Sequence, residues 1–381
     1  MQRPRDQPAT RAEKRQLVNE VVTVTGLHRK AAIRLLHRAP RMPAAEARTG
    51  RPRLYGPAVA TAAELLWQAA GRIGPQRLPP CVPELADRLL RCGDLAVAPE
   101  IEKLLPHASP ATLGRLLAPA RAFAPPRGLS TTRPGTWLKH QIPLRTFADW
   151  NDARPGFVEV DLVAHCGPSP QGFSRCTLCV VDIATSGVEL DAVWGKGQER
   201  VGAAIQHVHQ RLPVPRLGLH RDTGSAFIHP GLFDSCQRHA IPFPRSRPSK
   251  KHDSAHVEQK HGAIVRALIG DDRVASKTAH AQLARVYRLV RLHVTCFQPV
   301  QQLVSKTRTG ARVPRVYDRA PTPSQRLCAA AGLPPPKHQE LEALYQRLNP
   351  LQLRRQIEAE LDRLWALAAP DPSRSGPATT S

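Results

Sequence analysis

Between residues 157 and 193 three short apolar segments follow one another with no helix-length stretch between them: FVEVDLV (157–163), CTLCVVDI (176–183) and VELDAV (188–193). Their apolar side chains alternate or form short unbroken runs, which is strand periodicity. Thr185-Ser-Gly187 supplies a turn that returns the third segment beside the second. Consecutive strands argue against a purely doubly wound parallel sheet, where a helix separates each pair. QERVGAAIQHVHQRL (198–212) then reads as a helix and PRLGLH as a strand running into Arg221-Asp222. IHPGLFDSCQRHA reads as a helix, AIPF as a short strand and SAHVEQKHGAIVRALIG as a helix. The expected class is α/β, a mixed five-stranded sheet flanked by helices.

Helical patterns lie on both sides. The first 60 residues carry 13 Lys or Arg against 4 acids. Thr10-Arg-Ala-Glu13 resembles a capping box, Leu17 and Val21 share one face of the helix that follows, and Gly26 ends it. Ala32, Ile33 and Leu36 line a second, basic helix. Helix, glycine turn and basic helix is the pattern of a helix-turn-helix, which sets His28, Arg29, Lys30 and Arg34 toward DNA. A helical hairpin with a solvated basic face has the same pattern. Residues 40 to 57 read as a linker, Val59 to Ala70 and VPELADRLLRCG as a second helical hairpin, and Ser109-Pro110 as a further helix start. Near the C-terminus Leu341, Leu344 and Leu348 form one stripe and Leu353, Ile357, Leu361 and Leu364 another. They mark a helical appendage that packs on the core or on a second subunit. The last eleven residues, DPSRSGPATTS, have a disordered composition.

A formal charge of +24 points to a polyanionic partner. No apolar run approaches the roughly 20 residues a membrane span needs, and the N-terminus lacks a secretory signal. Nucleic acid is therefore favoured over a membrane, and a cytoplasmic location is expected. Among eight cysteines the one close pair, Cys176-x-x-Cys179, lies in a strand segment. Its two thiols would face opposite ways, so reduced thiols are expected rather than a zinc site.

Asp161 interrupts an apolar strand, where a charge is costly unless paired or bound to metal. Asp222 follows the fourth strand at its carboxyl end, the edge where open α/β sheets bind ligands. Glu258 stands inside RSRPSKKHDSAHVEQKHG (245–262), which has five Lys or Arg and three His but only two acids. Three oxygen donors suit Mg²⁺ rather than zinc, and two such ions can clamp a scissile phosphate. The surrounding bases, Arg245 and Arg247 among them, would hold phosphate. Asp182 and Asp191, on or at the ends of strands, are rival ligands by position. Glu159 shares the strand face of Asp161 and has no assigned role.

PGFVEVDLVAHCG (155–167), GLHRDTGSAFI (218–228), RSRPSKKHDSAHVEQKHG (245–262) and YDRAPTPSQR (317–326), with 35 residues between Asp222 and Glu258, resemble the D,D-35-E enzymes. The chain is similar to bacterial insertion-sequence transposases with a retroviral integrase-like catalytic domain. That resemblance runs from the N-terminal helices to about residue 327. It implies a ribonuclease H-like core, with Asp161, Asp222 and Glu258 as catalytic triad and ligands of Mg²⁺ or Mn²⁺, two ions in all. It also implies that Lys250, Lys251, Gln259 and Lys260 contact DNA near the cleaved end. The implied activity is 3′-end cleavage and strand transfer on double-stranded DNA, at terminal inverted repeats and a target. The enzyme would work as a homo-oligomer in a synaptic complex in the bacterial cytoplasm, at the nucleoid, with no small-molecule cofactor.

The expected domains are 1–57, helix-turn-helix and linker; 58–123, a second helical DNA-binding region; 124–150, a linker; 151–295, the catalytic core; 296–336, an extended basic segment; and 337–381, helical appendage and tail. The sequence departs from the family pattern Ser-Asp-Asn-Gly-Ser-Glu-Phe at Arg221, Thr223 and Ala226, and has His252 and His261 where Asn is usual. Those departures keep two alternatives open: a DNA-binding protein derived from a transposase, and a metal-dependent nuclease of the same fold without strand transfer. Tyr287, with apolar neighbours three and four positions away, is expected in the core.

Overall fold

The computed structural model describes residues 10–36, 54–122, 154–167, 173–221, 255–270, 272–308, 310 and 313–368. The chain divides into two compact units, residues 1–54 and 55–381.

In the first unit, helix α1 (Arg11–Thr25) begins at a capping box. The Thr10 amide donates to Glu13 Oε2 at 2.7 Å and the Glu13 amide to Thr10 Oγ1 at 3.3 Å. Two orphan donors of the first turn are thereby satisfied. Gly26, at φ 67°, ends α1 in the left-handed conformation that glycine adopts without strain, and its amide donates to Val22 O at 2.9 Å. Helix α2 (Arg29–Leu36) follows. Val18 and Ala32 are buried, whereas Leu17 is 49% exposed, so the buried face of α1 lies one position from the expected one.

The second unit opens with helices α3 (Pro57–Ala69), α4 (Val82–Arg91), α5 (Pro99–Leu104), α6 (Pro110–Leu116) and α7 (Ala118–Ala122). Ser109 caps α6, accepting the Thr112 amide at 3.2 Å. Strands β1 (Phe157–His165), β2 (Arg175–Asp182) and β3 (Val188–Val193) form an antiparallel meander. After helix α8 (Gln198–Arg211), strand β4 (Gly218–Arg221) pairs parallel to β1. The spatial order β3-β2-β1-β4 makes a mixed four-stranded sheet. The expected fifth strand, AIPF, and the helix before it lie outside the described residues.

Gly156 ties β1 to β4. Its φ of 115° is open to glycine, and a Cβ there would stand 2.5 Å from Pro215 O. Its carbonyl accepts the Leu217 amide at 2.8 Å, and its own amide donates to Asp182 Oδ2 at 2.7 Å.

The two faces of the sheet pack differently. Val158, Val160, Leu178, Val180 and Val193 meet Val201, Ala204, Ile205 and Val208 of α8. On the other face Val163, Cys179, Val181, Val188 and Leu190 join a larger core. It includes α3, α4, α6 and the long helix α11 (Lys277–Phe297). Between β4 and α11 lie helix α9 (Ala255–Lys260), a π-helical turn at His261–Arg266 and the short helix α10 (Ala267–Ile269). Cys176 and Cys179 fall in different cores, as the alternation of a strand requires.

The C-terminal part closes the larger core. Strands β5 (Leu303–Lys306) and β6 (Arg315–Tyr317) form a separate two-stranded ribbon, followed by α12 (Pro323–Ala329), α13 (Pro335–Arg347) and α14 (Pro350–Leu367). Leu353, Ile357, Leu361 and Leu364 of α14 are buried in the core that α11 shares with α3 and α4. Each such aliphatic side chain contributes about 1.5–3 kcal/mol on burial. His293 of α11 meets Ala69 O at 2.8 Å, and Arg88 of α4 donates to Gln346 O at 3.0 Å. Residues 55–122, α11 and the tail therefore share one core. Tyr287 is buried in it, its hydroxyl hydrogen-bonded to that of Thr177.

Candidate active site

Asp161 lies in the middle of β1, on the face it shares with Glu159 and Val163, and its side chain is 25% exposed. Its Oδ1 accepts the Leu162 amide at 2.7 Å and its Oδ2 stands 3.4 Å from His261 Nδ1. The parallel register pairs Phe157 with Gly218 and runs to Val160 with Arg221, one residue short of Asp161 and Asp222. Asp222 itself lies outside the described residues, as do Arg245, Arg247, Lys250 and Lys251.

Glu258 falls within α9, whose backbone packs on β1 and β2. What fastens this helix is Glu159. Its carboxylate, 4% exposed, accepts the Val257 amide at 2.9 Å, so a buried charge on β1 binds a backbone donor at the start of α9. Such charge-assisted bonds are the stronger ones, and a carboxylate at a helix N-terminus is the favourable sign. Sequence position singled out Glu159 only as a neighbour of Asp161. A buried acid two places before another on one strand face was the available signal.

Gln259 is exposed, whereas Lys260 is buried at 7%, so its ammonium is not presented on the outer surface. Burial, reinforced by the charge of Arg77, brings Lys260 down to about 8. Burial, and after it the charge of Arg266, lowers His261 to about 4, so this imidazole is neutral at neutral pH. Burial also pushes the Cys179 thiol well up, which leaves it an inert core group.

The two rival aspartates have other partners. Asp182 Oδ1 accepts from the Thr185 amide at 2.8 Å and hydroxyl at 2.7 Å, and Oδ2 from Gly156, so it holds the β2–β3 turn. Asp191 lies 3.6 Å from His207 and 3.9 Å from Arg211. Among the described residues no group of three or more His, Cys, Asp or Glu is set to hold a metal ion. Asp161 and His261 stand together at this place.

In the first unit Arg29, Lys30 and Arg34 are all exposed on α2, and Arg29 Nη1 donates to Asn19 Oδ1 at 2.5 Å. Among the described residues no helix is long and apolar enough to cross a membrane.

Over 309 residues the chain is 41% identical to the uncharacterized protein y4rM of Sinorhizobium fredii, covering 81% of this chain and 87% of that one. The chain belongs to the y4rM family. No protein-family model matches it. Solved structures similar to this y4rM relative include the simian T-cell lymphotropic virus intasome bound to the PP2A regulatory subunit B56 gamma. That match has 15% identity over 48% of this chain and 58% of the other, with TM-score 0.35. The catalytic core domain of BIV integrase matches at 16% identity over 45% and 91% of the two chains, TM-score 0.30. The HTLV-2 integrase catalytic core with magnesium, in its dimeric form, matches at 14% over 39% and 92%, TM-score 0.30. The fold of this y4rM family member rests on the strand order and register given above.

Proposed function

We propose that this chain is a DNA transposase or integrase of the D,D-35-E type on a ribonuclease H-like core, with Asp161, Asp222 and Glu258 as the residues that hold Mg²⁺ or Mn²⁺. The observation that carries this reading is the β1–β4 register. Phe157, Val158, Glu159 and Val160 each pair with the residue 61 positions later, and the same spacing separates Asp161 from Asp222 in the sequence. The bond from Val257 to Glu159 supports the third member, because it fastens the helix segment containing Glu258 to the same strand.

The donor set suits the ion: three carboxylates are hard oxygen donors, and that of Asp161 is partly exposed. A bound divalent cation supplies Lewis acidity at the scissile phosphate and neutralises charge that builds up on it. The chain's own residues do the rest. Glu159 fixes α9 against β1, and the apolar layers on both sheet faces keep β1 rigid. Arg245, Arg247, Lys250, Lys251 and Gln259 hold the DNA strand, and Lys260 is buried. Arg29, Lys30 and Arg34 engage the terminal inverted repeats through a helix-turn-helix. Hydrolysis at the element's end frees a 3′-hydroxyl, which attacks target DNA by direct transesterification, so no side chain acts as nucleophile. Two ends must be brought together, which calls for a homo-oligomer.

The test is full-length protein with end-labelled duplexes carrying the element's inverted repeats, in Mg²⁺ or Mn²⁺. The reading predicts 3′-end nicking followed by joined products, both stopped by EDTA. Nicking without joining would make the chain a nuclease of this fold. Binding without either would make it a DNA-binding protein only.

A further inference from the structure

Asp161 has an imidazole against it, at a separation longer than a good hydrogen bond. The separation of 3.4 Å from Asp161 Oδ2 to His261 Nδ1 lies beyond the roughly 2.7–3.2 Å of ordinary N–H···O bonds. The other nitrogen, Nε2, is buried with no hydrogen-bond partner among the described residues. His261, its side chain 15% exposed, thus turns Nδ1 to Asp161 and keeps Nε2 enclosed without a hydrogen-bond partner among the described residues, an uncommon state for an interior polar atom.

The same arrangement suits coordination. Two donors at about 2.0–2.2 Å from one ion, at octahedral to tetrahedral angles, stand roughly 3.0–3.5 Å apart. Neutral imidazole is the ligating form. His261 is also the first residue of the π-helical turn, a local widening that recurs at functional sites and changes the direction of the side chains it carries. Glu258 stands three positions earlier in the chain, and a Glu-x-x-His spacing is one that helices use to bring a carboxylate and an imidazole to a shared metal.

We propose that His261 is a nitrogen ligand of the divalent ion held beside Asp161, and that it shifts the preference of this site from Mg²⁺ toward first-row transition ions such as Mn²⁺. This rests on the reading of Asp161 as a metal ligand. An all-oxygen site suits Mg²⁺, which dehydrates reluctantly, and replacing one oxygen donor by imidazole favours a transition ion.

Pulsed electron paramagnetic resonance on the full-length protein loaded with Mn²⁺ reads the ligand directly, with no DNA and no turnover. Wild type should show coupling to a directly bound ¹⁴N. His261→Asn and His261→Gln should both lose it while still binding Mn²⁺, and calorimetry should show their preference for Mn²⁺ over Mg²⁺ reduced by about 10-fold. Bound Mn²⁺ in wild type with no ¹⁴N coupling, or coupling that persists in both variants, would overturn the role of His261 and leave the carboxylate site standing. A wild-type protein that binds no Mn²⁺ would overturn both, and Asp161→Asn, expected to abolish binding, locates the ion. Should either His261 variant fail to fold, the other variant and the wild-type spectrum still decide.

Discussion

The two faces of one sheet treat their ionisable groups differently. Toward α8, β1 presents Val158 and Val160, and β2 presents Leu178 and Val180, sealed by Val201, Ile205 and Val208. Toward α9 and α11, β1 presents Glu159, Asp161 and His165 among apolar neighbours, with Lys260 and His261 packed close by. Burying ionisable groups is costly unless each is paired or has a task. The α8 face is sealed by apolar area, with Asp191 and Glu189 of β3 set beside His207 and Arg211 of α8 at its edge. The α9 face keeps Glu159, Asp161 and His165 inside a larger apolar core and so accepts a penalty, the pattern expected of the proposed site.

The sharpest way to break that comparison is to neutralise one group on each face. Asp161→Asn should fold with near-normal stability yet lose DNA cleavage by more than the roughly 10- to 100-fold that removal of a metal's outer-shell partner causes; end-cleavage rates and a thermal melt read both. On the α8 face, Ile205→Ala should lose about 2–5 kcal/mol of stability through transfer and cavity terms. Its cleavage rate per folded molecule should stay unchanged. If the two effects were exchanged, the faces would have been assigned the wrong way round.

Glu159 tests the border between the two uses. Glu159→Ala leaves the Val257 amide without its acceptor, a loss of about 1–3 kcal/mol for a buried donor. Because α9 loosens, cleavage should also fall while repeat binding persists. Glu159→Gln keeps an acceptor and should recover much of both. A Glu159→Ala protein with full activity would remove the positioning role.

The smallest effect is a response to acid. Burial holds His165 at about 3 and His261 at about 4, below the ordinary 6.5, and both lie on the α9 face. Between pH 6.5 and about 4 the unfolded chain takes up protons that the folded chain refuses. Their stabilisation is complete above pH 6.5 and lost as pH falls through that window, by at most about 1.4 kcal/mol per pH unit for each group. Hydrogen exchange followed from pH 7 to 4.5 should show α9 and α11 losing protection before α8. Simultaneous loss would mean the two faces share one response.

Much of this division was legible in residue order. Alternation marked β1 to β3, the Thr185-Ser-Gly187 turn fell where expected, and Thr10, Gly26 and Ser109 cap as their chemistry dictates. The tail helix packs on the core through the leucine and isoleucine stripe that its spacing marks. Burial of Val18 instead of Leu17 was not legible, because a stripe of two apolar residues does not fix a helix's rotation. Nor was the role of Glu159, since its partner is a backbone amide 98 positions away. The π-helical turn at His261 has no sequence signature, although His261 stood out as a departure from the family pattern. Strand ends are local chemistry, whereas which acid faces which partner depends on tertiary register.

The claim that unites these points is that Glu258 completes a metal-holding set with Asp161 and Asp222. The direct measurement is end cleavage and strand transfer by purified Glu258→Gln beside wild type, with repeat binding measured on the same preparations. Glutamine keeps the shape and hydrogen bonding of glutamate and removes the charge that holds a cation. The account predicts unchanged repeat binding with cleavage and joining both abolished. A folded Glu258→Gln protein that cleaves at the wild-type rate would contradict it, since an exposed ion pair, worth only about 0–1 kcal/mol, would then be all that this carboxylate provides.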